Sequence, residues 1–445
     1  MIKYTSHRAI IVNAAVLPSK DAKKERVPQS VIDTLLDSVS IIELVEESTQ
    51  TKKIDNAIRS PCPFHVHSND NDTLLIDTQE QRVSCDECGF QASGIGWLMY
   101  HDGLTFEDAL LELASRTNTD LSKWITESDI DRARLNKQKL QTQVAQFYQA
   151  ELAQTDKALA YFKDRGISQR TGELFALGYS PAMPSTINDA FPKMERQLWN
   201  NGLLIRRSDK KYSLRFRDRL MFPIKDETGN LVGFGGRAFD DTLPKYLNSP
   251  SSPSFNKSQI LYGLHEAVES AKPIKRLILV EGYMDVLTLH EAGVLHPVAT
   301  LGTAQSVHHL KTLFSHSSHL VVCFDGDSAG RKAATRLLEL ALPIISDFDL
   351  LQFIEIPDGD DPDSFVQKHG RESFEQLLNN AQSVEETLLD MLTDGLDLDT
   401  IGGKSALFSK AVKQIDNIES GNIRDSIMNQ VESIVGLSCW DDVQE

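Results

Sequence analysis

The segments LILVEG (277–282), HPVATLG (296–302), HLVVCFDGD (319–327) and LLQFIEIPDG (350–359) decide the fold. The first three each run on into text with helical spacing: through Leu289, through Phe314, and through AGRKAATRLLELAL (329–342). Apolar strands alternating with amphipathic helices are the pattern of parallel βαβ units with right-handed crossovers, in which helices cover both faces of the sheet. The sequence therefore predicts a doubly wound parallel sheet. In such a sheet functional groups collect beyond the carboxyl ends of the strands. Glu281 ends the first strand, Asp325 and Asp327 end the third, and Asp361 and Asp363 follow the fourth. Like charges brought together raise one another's pKa unless a cation lies between them, and Mg2+ or Mn2+, which take oxygen ligands, suit that place. In Asp-Gly-Asp the alternate side chains of an extended turn point the same way, and Gly326 permits close backbone approach. Two nearby strings fail as phosphate cradles: GDSAGRK (326–332) and LDTIGGKS (398–405) lack the P-loop spacing.

Upstream of the sheet the charge changes sign. The whole chain carries 46 Lys and Arg against 64 Asp and Glu, a net of −18. Between Arg206 and Arg276 there are 14 basic residues against 8 acidic ones. The overall balance argues against a chain that coats DNA with its entire surface, and the local excess places any phosphate-facing surface in this segment. Arg215, Arg217 and Arg219 alternate as they would along one strand face, and Arg237, Lys245 and Lys257 follow at turn-rich places. LMFPIKD (220–226) and LVGFGGRAF (231–239) read as a hairpin around the turn at 227–230.

Nearer the start, Cys62-Pro63-Phe64-His65 and Cys85-Asp86-Glu87-Cys88 are two knuckles whose end residues stand three positions apart. Tight turns of that spacing let thiolates and an imidazole converge on one tetrahedral Zn2+, and four protein ligands make the site structural. His67 competes with His65 as fourth ligand, but the spacing favours His65. Cys323 and Cys439 read as packing residues. Two short helices are expected after Val27, with capping boxes at Ser30/Asp33 and Ser40/Glu43, and one helix over 96–114. Residues 115–146 turn polar, as a helical or flexible connector does, and beyond Gly370 only helices are expected. The most apolar early run, Ala9 to Leu17, is far short of the ~18–20 residues that cross a bilayer, and no secretory signal is evident, so a cytoplasmic location is expected.

Read together, these segments resemble the bacterial DnaG-type DNA primases. The resemblance rests on CPFH (62–65) with CDECG (85–89), YFKDRGIS (161–168), RFRDRLMFPIKD (215–226), GFGGR (233–237), PKYLNSP (244–250), ILYGL (260–264), LVEGYMDV (279–286), FDGDSAGRKAA (324–334) and PDGDDPDSFV (357–366). It implies a multidomain α/β protein: a small zinc-ribbon domain, a mixed α+β subdomain, a Toprim parallel sheet and a C-terminal helical subdomain. The expected divisions are an extension at 1–25, a zinc-binding domain at 26–114, a connector at 115–146, a basic subdomain at 147–271, the Toprim subdomain at 272–368 and the helical subdomain at 369–445. The implied activity is synthesis of short RNA primers from NTPs on single-stranded DNA. Glu281, Asp325, Asp327, Asp361 and Asp363 would hold Mg2+ or Mn2+, and Arg165, Arg215, Arg237, Lys245 and Lys257 would bind nucleotide and template. Replicative helicase and single-strand-binding protein are the expected partners of a monomeric, nucleoid-associated enzyme. Two departures stand out. Residues 62–114 hold one basic residue, Arg82, against ten acidic ones, and the chain is expected to stop short of the family's helicase-binding domain. A Toprim nuclease, and a diverged relative that binds DNA without priming, are the alternatives.

Overall fold

A computed structural model describes residues 27–436 except 48, 50, 55–56, 63–72, 86–89, 102–103, 105, 126, 207–210, 241, 251–254, 271 and 303–304, together with all but the side chains of 127–134. The chain divides into two compact units, one from residues 1–151, 179–221 and 236–255, the other from 152–178, 222–235 and 256–445. Among the described residues no helix is long and apolar enough to cross a membrane.

The second unit contains the parallel sheet read from the sequence. Its elements are β1 (Leu277–Val280), α1 (Tyr283–Glu291), β2 (Pro297–Ala299), α2 (Val307–His316), β3 (His319–Cys323), α3 (Ser328–Ala341), β4 (Leu350–Ile354), α4 (Pro362–Asn379) and β5 (Gln382–Ser383). The strand order is β2-β1-β3-β4-β5, with the first four parallel and β5 antiparallel to β4. Register sets Leu277 beside Leu320 and Val321 beside Gln352, so the strand ends that carry the carboxylates lie in adjacent rows. All four residues of β1 are fully buried, each contributing about 1.5–3 kcal/mol by leaving water, which is why this run lacks strand alternation. Helices α5 (Val384–Thr393), α6 (Ile401–Ile415) and α7 (Gly421–Val435) share one core with the sheet, Leu407 and Ile427 packing in the same cluster as Leu320 and Leu337. The expectation of helices alone beyond Gly370 misses β5, which is two residues long and has no periodicity to read.

In the first unit a five-stranded antiparallel sheet runs in chain order through Lys52–Ile54, Ala57–Ser60, Leu74–Asp77, Arg82–Cys85 and Gln91–Ser93. Trp97, Leu110 and Leu35 pack its core with Cys62 and Cys85. The two short helices after Val27 are present at Gln29–Ser38 and Ile41–Glu46, but neither is closed by the expected box. Pro28 and Ser40 stand at the caps and make no side-chain capping bond. The single helix expected over 96–114 is two, Gly94–Tyr100 and Phe106–Thr117. A helix at Glu127–Ala153 begins in the expected connector and runs on past its expected end at 146. The two strands of the expected hairpin are present at Arg219–Lys225 and Leu231–Ala238.

Gly326 lets the loops after β3 and β4 converge, and Gly330 lets the first turn of α3 sit against Asp325 at the end of β3. A Cβ on Gly326 would lie 2.4 Å from the Pro357 carbonyl oxygen, and one on Gly330 would lie 2.1 Å from that of Asp325. The Gly326 N–H donates to the Asp360 carbonyl at 2.9 Å across this approach. A methyl at 330 must push α3 off the end of β3, so Gly330→Ala is expected to cost about 2–3 kcal/mol in denaturant unfolding.

Candidate active site

Each acidic side chain is placed by a strand that ends or a helix that begins. Glu281 follows β1 directly, and its Oε1 accepts the Asp325 N–H at 3.2 Å. Asp327 is the N-cap of α3, where its Oδ1 accepts the N–H groups of Ala329 and Gly330, both at 2.8 Å. Asp361 caps α4 in the same way, accepting the Ser364 N–H at 2.6 Å. Capping consumes one oxygen of each carboxylate and keeps the charge at a positive helix end.

Asp363 is buried and turned toward Arg165, whose guanidinium lies 2.7 Å from Oδ2, while Gln367 donates to Oδ1. The structure thus brings Arg165, from the C-cap of the helix Asp156–Asp164, to the acidic rim and pairs it with one of its carboxylates. Asp360 is paired with Lys368. Arg331 bridges the two loops, donating to the Gly326 carbonyl at 3.0 Å and to Asp358 at 2.8 Å.

Burial, followed by the charges of Glu281, Asp361 and Asp327, pushes the Asp325 carboxyl up to about 7. Burial raises Glu281 also, with Asp327 adding to it. Asp325 Oδ1 is buried and has no hydrogen-bond partner. A buried anionic oxygen that nothing satisfies, among carboxylates that repel it, fits a hard divalent cation. Among the described residues no three His, Cys, Asp or Glu side chains stand together as a ready-made ligand set. The five carboxylates share a field and not a single point.

A sixth acid was not read from the sequence. Asp285 lies in the first turn of α1, its Oδ2 accepting the Gly282 N–H at 2.9 Å and its Oδ1 the Asp363 N–H at 3.3 Å. Burial, then the charges of Asp325, Asp361 and Asp363, hold its carboxyl well above the usual range. The available signal was an aspartate inside Tyr283–Leu289, every residue of which is buried.

The basic residues divide between the units. Lys257 is in the second, in a turn at 256–260. Arg215, Arg237 and Lys245 are in the first. The expected strand face of Arg215, Arg217 and Arg219 does not form: residues 215–218 are a turn, with Asp218 at φ 53° accepting the Tyr179 hydroxyl at 2.8 Å. Arg219 is buried and spends its guanidinium on the carbonyls of Gly236, Pro244 and Lys245. It thereby ties the loop bearing Lys245 to the strand bearing Arg237. Lys245 is exposed, and Arg237 lies over the Tyr246 ring at 5.8 Å. Arg215 has its pKa lowered by burial to about 10, and its Nε is buried without a partner.

Of the expected zinc ligands, Cys62 and Cys85 are both 2 % exposed, in one core cluster. His65 and Cys88 lie outside the described residues, as do His67 and Cys439. Two buried thiols, Cys85 at the end of the strand Arg82–Cys85 and Cys62 just past the strand Ala57–Ser60, fit a metal-bound knuckle. Cys323 is fully buried in β3, as a packing residue.

Four family models match the chain in order: a CHC2 zinc finger over 27–129, the N-terminal domain of the DNA primase catalytic core over 147–268, a Toprim-like domain over 278–366, and the DnaB-helicase binding domain of primase over 388–438. The last overturns the expectation that a helicase-binding domain is missing. The match begins within α5 and extends past α7, and these amphipathic helices carry no motif that separates them from a generic bundle. The DNA primase of Pasteurella multocida is 36% identical over 422 residues, 93% of this chain and 72% of that one. That of Escherichia coli K12 is 34% identical over 420 residues, 93% of this chain and 72% of that one. A DnaG primase catalytic domain bound to ssDNA superposes with a TM-score of 0.66 at 36% identity, covering 71% of this chain and all of that one. The Aquifex aeolicus primase (zinc-binding and RNA polymerase domains) gives 0.60 at 28% identity over 92% of this chain and 97% of that one.

The raised Asp325 carboxyl fixes a pH dependence. In chelator-treated protein the folded state holds a proton that the unfolded chain releases near 3.8, so the stability Asp325 contributes falls as pH rises from about 4 to about 7. Asp325→Asn should match wild type at pH 4 and exceed it by about 1 kcal/mol at pH 8, a value reduced for the screening of a half-exposed group. Thermal melts of both proteins at the two pH values check it.

Proposed function

The chain belongs to the DnaG-type DNA primases of bacteria, and from that premise we propose how its residues divide the work. The activity is that of a DNA-directed RNA polymerase making primers for replication. In our reading the template is single-stranded DNA and the substrates are NTPs. Glu281, Asp325, Asp327, Asp361 and Asp363 form the acidic rim that takes Mg2+ or Mn2+. The observation that carries this is the buried, unsatisfied Oδ1 of Asp325 beside Glu281 at the ends of two adjacent parallel strands. Bound there, the ions would neutralise the triphosphate and favour attack of a 3′-hydroxyl on an α-phosphate.

The side chains do the positioning. Asp327 and Asp361, locked at helix N-termini, hold their outer oxygens at fixed places on the rim. Asp285, through the Asp363 N–H, fixes where α4 begins. Arg165, beside Asp363, and Lys257 offer positive charge to nucleotide phosphates; Arg215, Arg237 and Lys245 offer it to template. Cys62, His65, Cys85 and Cys88 hold one structural zinc. The domain divisions we assign are those expected from the sequence, except that the helical segment after 369 contains the helicase-binding region, with the replicative helicase as its partner. The enzyme works in the cytoplasm at the nucleoid.

Two measurements test this assignment. Radiolabelled NTPs on single-stranded DNA with Mg2+ or Mn2+ should yield short RNA, reduced about 100-fold or more in Asp325→Ala. DNA cleavage without NTPs, or no product on any template, would overturn the polymerase reading. Purified protein should contain zinc in equal amount to chain, and Cys62→Ser should lose it along with the fold of the ribbon, seen as early proteolysis of the first 114 residues.

A further inference from the structure

We propose that His309 is a positioning residue for Lys257; the inference rests on the reading of Lys257 as a nucleotide-binding lysine. His309 is fully buried in the first turn of α2. Its Nδ1 lies 3.3 Å from the Ser306 nitrogen, and its Nε2 lies 3.0 Å from the Lys257 carbonyl oxygen. A backbone N–H can only donate and a carbonyl can only accept. One form of the ring satisfies both contacts, the neutral imidazole with its hydrogen on Nε2. Burial lowers the pKa of this histidine; the backbone acceptors at Lys257 and Ile260 oppose that and the neighbouring His308 adds to it.

A second bond runs parallel to the first. The Ser306 hydroxyl donates to the Ser258 carbonyl, so the start of α2 grips two consecutive carbonyls of the turn that carries Lys257. Within that turn Asn256 accepts the N–H and hydroxyl of Ser258, and its carbonyl accepts from Gln259 and Ile260. Just downstream, Tyr262 exchanges both backbone bonds with Ala299 of β2, at 2.8 and 3.0 Å. The segment is therefore stitched to the edge of the parallel sheet at one end and to α2 at the other. A lysine has a flexible four-carbon stem, so the fold can set its reach only by fixing its backbone. Of the two grips on the Lys257 turn, His309 holds the lysine's own carbonyl.

The test is steady-state priming by the full chain on single-stranded DNA with NTPs varied, in wild type, His309→Leu, His309→Gln, Lys257→Ala and the double variant His309→Leu/Lys257→Ala. Loss of one buried hydrogen bond should raise the KM for NTPs about tenfold in His309→Leu with kcat changed far less. His309→Gln, whose amide can still donate to the Lys257 carbonyl, should recover most of that loss. In the double variant the His309 change should add nothing to the effect of Lys257→Ala. If the two changes are additive, or if His309→Leu leaves KM unmoved while Lys257→Ala raises it, the positioning role is wrong and the reading of Lys257 stands. If Lys257→Ala itself has no effect, both fall. Melting temperatures separate a misfolded variant, and His309→Gln carries the comparison should His309→Leu fail to fold.

Discussion

Burial of mutually repelling carboxylates at one edge of a parallel sheet is the constraint on which the second unit depends. The sheet topology brings Glu281 and Asp325 to neighbouring strand ends, and burial, with the repulsion added to it, raises their carboxyls and that of Asp285, Asp325 to about 7. The surrounding residues offset it unevenly. Asp363 faces Arg165, Asp360 faces Lys368, and Asp327 and Asp361 sit on helix N-termini. Glu281 and Asp325 are left set against each other, and the buried Asp325 oxygen is the least satisfied atom of the rim. Stability is given up there, as is common where a fold reserves a place for a charged ligand.

The close approach of the two Asp-bearing loops is as demanding as their charge. Gly326 leaves no room for a side chain between the ends of β3 and β4, and the backbone bond from Gly326 to Asp360 spans that gap. Asp325 and Asp361 act on one another because those backbones can touch. The electrostatics of the rim therefore depend on the absence of a methyl group at 326.

The sheet was legible because buried parallel strands announce themselves as apolar runs followed by helical spacing, and the carboxylates because they stand at the ends of those runs. Legibility failed where local chemistry overrode the pattern. Arg215, Arg217 and Arg219 have strand-like alternation, yet Asp218 adopts a left-handed conformation tied to Tyr179, and the alternation falls on a turn. Asp285 is hidden in helical text, since its importance lies in its burial. The two-residue β5 and the matched helices over 388–438 carried no periodicity or motif that could separate them from ordinary helical sequence. Half of the zinc constellation, His65 and Cys88, lies outside the described residues, so only the two buried thiols join spacing to structure.

The helix-capping role of Asp327 and Asp361 has a consequence for reading diverged relatives. An aspartate at either place is worth keeping for the helix alone, whether or not the protein still handles phosphates. Retention of the second Asp of the Asp-Gly-Asp turn is thus weak testimony to surviving chemistry. Glu281 and Asp325 terminate strands, cap nothing and strain the fold, so a lineage that abandoned polymerisation would shed those two first.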